Sequence, residues 1–205
     1  VDVSPNELYN RAMTLYHAGK YWDALFVYSR ILRDFPDFFK NDWVQYYRGS
    51  CFENLDMRGQ AIQSYRQTIN EYGTGDVGPY AELGLMRIAY RDDDRNQVRE
   101  LYYGLTSSAR ENSTPDSLKA HAHYIMGQNQ IREYDFVKAV QAFELIPEDH
   151  PEYAFSQHSL GICNVMLKSD ALTVLDHFSR SASVTPINQS QREIVNRSLV
   201  MLGYF

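Results

Sequence analysis

The sequence contains little cysteine and no long apolar run. Cys51 and Cys163 are the two cysteines among 205 residues, and each follows a glycine by two positions within an apolar helical pattern. We therefore expect two buried thiols rather than a disulfide. No apolar run reaches the roughly 18 residues that suggest a membrane-spanning helix. Neither a covalent cross-link nor a membrane segment is thus expected to organise the fold.

The chain also has no excess of basic residues. It carries 20 Lys and Arg against 26 Asp and Glu, which gives a formal net charge of −6 at pH 7. Proteins that bind nucleic acids present a basic surface to the phosphates, so a nucleic-acid partner is not expected. The hydrophobic fraction of 44% is too high for a disordered chain.

Sequence motifs typical of catalysis and cofactor binding are missing as well. The zinc patterns H-E-x-x-H and C-x-x-C do not occur, and no Ser or Cys stands in a recognisable nucleophile context. Gly73, Gly75 and Gly78 form the pattern G-x-G-x-x-G, but a helical pattern precedes them where a dinucleotide site requires a strand. We expect a loop there. The sequence predicts no enzyme activity, no cofactor and no metal.

What the sequence does contain is an internal repeat. A small residue within an apolar helical pattern recurs at intervals of roughly 34 to 43 residues, which is the range of helical repeat proteins. The markers are Ala12, Gly49, Gly84, Gly127, Gly161 and Gly203, the last opening an unfinished sixth unit. This periodicity predicts stacked units that present a long surface rather than a catalytic pocket.

The first repeat is predicted to be two helices joined by a short turn. Ser4 and Glu7 have the spacing of a capping box at a helix start. Gly19 is expected to end this helix and Tyr21 to begin the next, with Pro36 just beyond the second helix.

This first unit resembles the tetratricopeptide repeat, a helix–turn–helix unit of nominally 34 residues. The matching residues are Leu8, Ala12, Gly19, Tyr21, Ala24, Tyr28 and Pro36. The pattern returns, with departures, in four further units. Val98 stands where the third unit would have Ala, and residues 169–178 fit the second-helix pattern only loosely.

The resemblance implies an all-α fold. It implies a right-handed α-α superhelical solenoid of about five helix pairs plus a terminal helix. We expect residues 1–205 to form a single domain that is an excised part of a longer protein. The irregular repeat lengths are similar to those of bacterial cell-envelope tetratricopeptide proteins, which favours a periplasmic or cell-envelope location over a cytoplasmic one.

Small and aromatic residues at fixed repeat positions are expected to form the core, because helices within a unit pack closely where the side chain is small. The small residues are Gly49, Gly84, Gly127, Gly161, Ala24, Ala61 and Ala139. The aromatic residues are Tyr28, Tyr65 and Phe143.

The resemblance also implies a binding surface, since the first helices of successive units line the concave face in this family. We expect partner contacts at three registers relative to each small-residue marker: three residues before it, one residue after it and four residues after it. The predicted residues are Tyr9, Met13, Tyr16, Tyr46, Ser50, Glu53, Leu85, Tyr124, Gln128 and His158. Tyr recurs at one register, and its rigid ring with a hydrogen-bonding tip suits a protein interface.

These observations predict a scaffold for protein–protein interaction that binds a peptide or helix of a partner in its concave groove. The alternative is a regulatory or substrate-recruiting helical segment of a larger enzyme. Self-association is a third possibility.

The repeat pattern yields a direct prediction about secondary structure. Circular dichroism of the purified chain should show a helix content above roughly 60%, well over the third that is usual for globular proteins. A clear strand signal would contradict the repeat interpretation.

Overall fold

The computed structural model describes residues 3–110 and 113–204, and these residues form α-helices joined by short turns. The helices are α1 (Pro5–His17), α2 (Tyr21–Asp34), α3 (Asn41–Asn54), α4 (Arg58–Tyr72), α5 (Gly78–Arg91), α6 (Arg95–Thr106), α7 (Asp116–Arg132), α8 (Phe136–Phe143), α9 (Tyr153–Met166), α10 (Ala171–Ser183) and α11 (Gln189–Leu202). One 3-10 turn, Ser108–Arg110, follows α6. The described residues contain no strand. The prediction of an all-α chain of five helix pairs and a terminal helix is confirmed.

The chain divides into two compact units. Unit 1 comprises Val1–Asp94 and Ala109–Thr114, and unit 2 comprises Arg95–Ser108 and Pro115–Phe205. Within each unit every helix packs against its neighbour in sequence. In addition α3 contacts α5 in unit 1, and α9 contacts α11 in unit 2. The expectation that residues 1–205 form a single domain stays a prediction.

The first helix pair has the predicted boundaries. Ser4 accepts a hydrogen bond from the backbone of Glu7 while the Glu7 side chain accepts one from the backbone of Ser4, which completes the capping box. Gly19 lies in the turn with φ +71°, and the second helix begins at Tyr21. Residues 73–77 of the glycine pattern form the predicted loop between α4 and α5, and Gly78 begins α5.

The same left-handed backbone conformation recurs in the later turns, but without glycine. The residues with φ between 56° and 59° are Asp56, Asp93, Tyr134 and Lys168. Side chains other than glycine adopt this conformation at a cost of about 1–2 kcal/mol, so packing of the flanking helices has to hold these turns in place.

Close approach of helix backbones is the recurrent packing feature, as the small-residue pattern predicts. The predicted core residues are buried; Ala24, Ala61, Ala139, Tyr28, Tyr65 and Phe143 have no accessible surface. The ring of Tyr65 lies between two first helices: a Cβ added to Gly49 would come within 2.9 Å of it, and one added to Gly84 within 2.5 Å. The ring of Phe143 lies as close to Gly127 in unit 2.

The fifth unit follows the same rule although its sequence matches the pattern loosely. Phe178 on α10 is fully buried, and a Cβ on Gly161 would lie 2.6 Å from its ring. The sixth marker, however, is not Gly203, because that residue caps the C-terminus of α11 and is exposed. The small residue buried within α11 is Ser198.

Both cysteines are free and buried, as expected. Burial raises the pKa of Cys51 to about 12 and that of Cys163 to about 11, so both thiols are protonated at neutral pH and are weak nucleophiles.

The glycine–aromatic contact predicts opposite effects for two glycine substitutions in unit 2. Gly127→Ala places a methyl group 2.6 Å from the Phe143 ring, and we expect a loss of about 1–3 kcal/mol in the free energy of unfolding. Gly104→Ala in α6 meets no atom within 4 Å and should gain up to about 1 kcal/mol from helix propensity. Urea unfolding of both variants measures the difference. Equal effects would show that the close approach at Gly127 does not limit packing.

Candidate functional site

The predicted contact residues are divided between the two units, and their environments differ. Tyr124, Gln128 and His158 in unit 2 line a common open cleft. The remaining predicted residues, in unit 1, bond mainly to one another and to neighbouring core residues. Partner binding by either set stays a prediction.

The cleft of unit 2, called here the α7–α9–α11 cleft, has a volume of about 430 Å³. It is lined by Tyr124, Gln128, Ile131, Phe155, His158, Ser159, Ile162, Ser190, Glu193, Ile194 and Arg197. Its residues therefore come from three first helices of the repeat pattern.

Helix periodicity explains why these side chains face one cleft. Residues spaced by four and then three positions lie along one face of a helix. The cleft contains one such stripe from each helix: Tyr124, Gln128 and Ile131 on α7, then Phe155, Ser159 and Ile162 on α9, then Ser190, Ile194 and Arg197 on α11. The shared spacing gives one row of mixed apolar and polar side chains on each of the three helices.

Hydrogen bonds fix the polar centre of the cleft. The side-chain amide of Gln128 donates to the hydroxyl of Tyr124 over 3.3 Å and to Ser159 Oγ over 3.0 Å. The Tyr124 ring also lies near Phe143 and Phe155, with centroid distances of 5.9 and 6.2 Å. Tyr124 and Gln128 are thus oriented by α8 and α9 before any partner binds.

His158 lies at the edge of the cleft against α11. Its Nδ1 is 2.8 Å from Ser198 Oγ, and its ring packs edge-on against Phe178. Burial, together with the positive charge of Arg197, lowers the pKa of His158 below its ordinary value of 6.5. The imidazole is therefore neutral at pH 7.

The α11 side of the cleft and Phe155 are not among the residues predicted from the sequence. Phe155 stands six positions before Gly161, outside the three registers, and counting from Gly203 reaches only Val200 within α11. Ser198 lies about one repeat after Gly161, so a serine allowed at the small-residue position would have identified α11 as a first helix.

In unit 1 the predicted residue Glu53 is buried and fully paired. Its carboxylate accepts hydrogen bonds from Arg87 Nε and Nη2 over 2.9 and 2.8 Å, from the hydroxyl of Tyr65 over 2.7 Å, and from Arg91. Burial alone raises the pKa of Glu53, but the hydrogen bonds and charge of Arg87 outweigh it and hold the pKa below the ordinary value of 4.5. These contacts join α3, α4 and α5.

The predicted tyrosines of unit 1 lie in an aromatic cluster. Tyr46 has ring contacts with Trp43, Tyr47, Tyr65 and Tyr80, at centroid distances between 5.2 and 5.9 Å. These contacts hold Tyr46 within the packing of the unit.

Other predicted residues of unit 1 also have internal partners. Tyr16 hydrogen-bonds to Ser50 over 2.6 Å, and the Met13 sulfur accepts a hydrogen bond from Tyr28. Leu85 is buried, and Lys40 lies over the ring of Tyr9. Through these interactions the predicted contact residues of unit 1 stabilise the packing of their own unit.

The described residues offer neither a membrane-spanning helix nor a cluster of metal ligands. No helix formed by residues 3–110 and 113–204 is both long and apolar enough to cross a membrane. Over the same residues, no group of three or more His, Cys, Asp or Glu side chains could hold a metal ion.

Comparison with known proteins agrees with the repeat pattern. A tetratricopeptide-repeat family model matches residues 43–74, and no curated protein matches the chain. The fold is similar to that of PilW, described as a widely conserved type IV pilus biogenesis factor. That match has a TM-score of 0.69 and 14% identity, and it covers 100% of this chain and 94% of PilW.

Two further solved structures have the same fold. The tetratricopeptide-repeat protein TTC0263 of Thermus thermophilus matches with a TM-score of 0.65 and 17% identity, covering 96% of this chain and 100% of the other. MamA matches with a TM-score of 0.63 and 16% identity, covering 91% of this chain and 96% of MamA. Residues 43–74 thus match the tetratricopeptide repeat, and the chain as a whole shares the fold of these proteins.

The Glu53 cluster predicts a pH-dependent stability. Folding lowers the pKa of Glu53, so the unfolded chain takes up this proton first as the pH falls. The stabilisation is complete above the ordinary pKa of 4.5 and is lost as the pH falls through the folded-state value. Glu53→Gln should lose about 1.5–3 kcal/mol in the free energy of unfolding at pH 7, and its stability should decline less below the ordinary pKa.

Asp56→Asn in the adjacent turn is the control, because Asp56 pairs with Arg58 at an exposed position. This variant should change stability by no more than about 1 kcal/mol. Chemical unfolding at several pH values measures both. If the free energy of unfolding depends on pH in the same way for Glu53→Gln and for the unchanged chain, Glu53 does not cause the loss of stability in acid.

Proposed function

We propose that this protein is an interaction scaffold and that the α7–α9–α11 cleft binds a segment of a partner protein. The observation that carries the proposal is that one side-chain stripe from each of α7, α9 and α11 lines the same cleft. Repeat proteins use such extended surfaces to bind partners.

The chemistry of the cleft suits a polypeptide segment. Phe155, Ile131, Ile162 and Ile194 offer apolar surface, while Gln128 stands among them with its amide already oriented. A helix or extended segment can place apolar side chains against the first group and a backbone or side-chain polar group near the second. The cleft volume of about 430 Å³ corresponds to a few side chains of such a segment.

We also propose a role in assembling a bacterial cell-envelope structure. The likeness in fold to PilW supports this, since PilW is described as a pilus biogenesis factor. The acidic net charge of −6 fits protein partners better than nucleic acid.

Site-specific photo-crosslinking in the native cells tests the binding site. Phe155 replaced by p-benzoylphenylalanine should cross-link to a discrete partner protein, because this side chain lines the cleft. The same replacement at Tyr134, which is 80% exposed and outside the cleft, is the matched aromatic control. Cross-linked products are identified by mass spectrometry.

A second substitution tests whether the cleft itself is required. Ile162→Arg, introduced with the probe at Phe155, should remove most of the cross-linked product because a long charged side chain enters the apolar row. Leu172→Arg on the exposed surface of α10 should leave the product unchanged. Identical products from Phe155 and Tyr134 would contradict the proposal, and a product containing only a second copy of this chain would indicate self-association instead.

A further inference from the structure

His158 and Arg197 occupy a shared border between two depressions. Both residues line the α7–α9–α11 cleft, and both line a neighbouring depression of about 360 Å³ together with Asn196, Val200 and Met201. A segment that continues from the cleft into the second depression has to pass over this pair. Apolar residues lie on either side of the pair, with Phe155, Ile162 and Ile194 in the cleft and Val200 and Met201 in the second depression.

Arg197 is an available cation at this border. The side chain is exposed and forms no ion pair with any of the residues that the structure describes. Glu193, one turn earlier on α11, is the acidic residue that lines the cleft, and it accepts a hydrogen bond from Gln189 over 3.1 Å. A guanidinium group with free donors is a good binding group for a carboxylate.

The hydrogen bonds around His158 determine which ring nitrogen carries the proton. Ser181 donates to the carbonyl of Ala154 over 2.7 Å, and the hydroxyl of Ser198 donates to Ser181 Oγ over 2.8 Å or to the carbonyl of Ile194 over 3.1 Å. Because the Ser198 hydrogen points away from the imidazole, Ser198 Oγ accepts from His158 Nδ1–H. The neutral ring therefore has its lone pair on Nε2.

From these positions we infer that the bound segment carries an acidic side chain flanked by apolar ones, and that its carboxylate is held between Arg197 and His158. One proton from solvent binds to His158 Nε2 as the segment binds. The resulting Nε2–H donates to the carboxylate while Nδ1–H keeps its bond to Ser198. This inference rests on the proposed function of the same cleft and adds the chemistry of the partner.

Proton uptake gives the binding a defined pH dependence. The charged groups that line the cleft near His158 are Glu193 and Arg197, both on α11. Tyr124 is the ionisable group of α7 that lines the cleft, and its ring packs near the apolar Phe143 of α8.

From α10, Phe178 contacts the imidazole of His158, while His177 bonds to Gln157. A carboxylate that neutralises Arg197 and accepts from Nε2 raises the pKa of His158 from its lowered free value. The affinity for the segment must then rise as the pH falls from the pKa of His158 in the complex to its lower pKa in the free protein.

Selection from a random peptide display library tests the recognition of a carboxylate. The unchanged chain should enrich peptides with Asp or Glu between apolar residues, and Arg197→Gln should lose the acidic preference. Arg192→Gln is the matched control, since Arg192 lies on α11, is exposed and does not line the cleft. For a selected peptide, replacing its Glu by Gln should weaken binding to the unchanged chain by about tenfold and to the Arg197→Gln variant by little.

The pH dependence of peptide binding provides the second test. Affinity of a selected peptide, measured by calorimetry, should rise as the pH is lowered from about 7.5 to about 5.5, across the ordinary range of histidine titration. His158→Asn should make it nearly independent of pH, because the amide can still donate to Ser198 but cannot take up the proton. Thermal unfolding confirms that each variant is folded.

The outcomes separate this inference from the proposed function. Peptides that bind in the cleft without an acidic preference, or an acidic preference that survives Arg197→Gln, would overturn the inference and leave the proposed function in place. A pH-independent affinity in the unchanged chain would overturn the role of His158. If the unchanged chain selects no peptide, both the proposed function and the inference fail.

Discussion

The structure depends on one recurrent contact, the ring of an aromatic residue on a second helix lying against a glycine on a first helix. Tyr65 makes it with Gly49 and Gly84, Phe143 with Gly127, and Phe178 with Gly161. A Cβ at these glycines would come too close to the ring, so the contact sets how nearly the backbones approach. Because the glycine recurs at the same repeat position, the contact also fixes which face of each first helix packs against a second helix. The opposite face of the first helix is left free of this contact.

This constraint explains the geometry of the α7–α9–α11 cleft. Gly127 and Gly161 hold α7 and α9 against their second helices, which leaves the stripes that begin at Tyr124 and Phe155 facing the cleft. In α11 the small position is taken by Ser198, whose hydroxyl bonds to Ser181 and His158. The departure from glycine therefore gives the cleft a hydrogen-bonded histidine at its border.

Unit 1 uses the same registers for a different purpose. Glu53 stands at a register that is predicted to face a partner, but its carboxylate is satisfied by Arg87, Arg91 and Tyr65. A buried carboxylate with these partners cannot be removed without leaving the arginines uncompensated. The two units show that one repeat pattern can support either an internal network or an open cleft, depending on the side chains at the same positions.

The helix pairs, the turn at Gly19 and the buried small and aromatic residues could all be predicted from the amino-acid sequence, because helix periodicity and breaking residues act over a few neighbours. The same pattern placed Tyr124, Gln128 and His158 at registers that do meet in one cleft. It did not reveal Arg197, because Arg197 stands one position before Ser198 and so lies at none of the three registers. The partners of Glu53, the chain of hydroxyl groups behind His158 and the left-handed turns in the later units became visible only in the folded chain. These features depend on distances between helices far apart in sequence, and such distances are set by the packing of complete side chains and not by local preference.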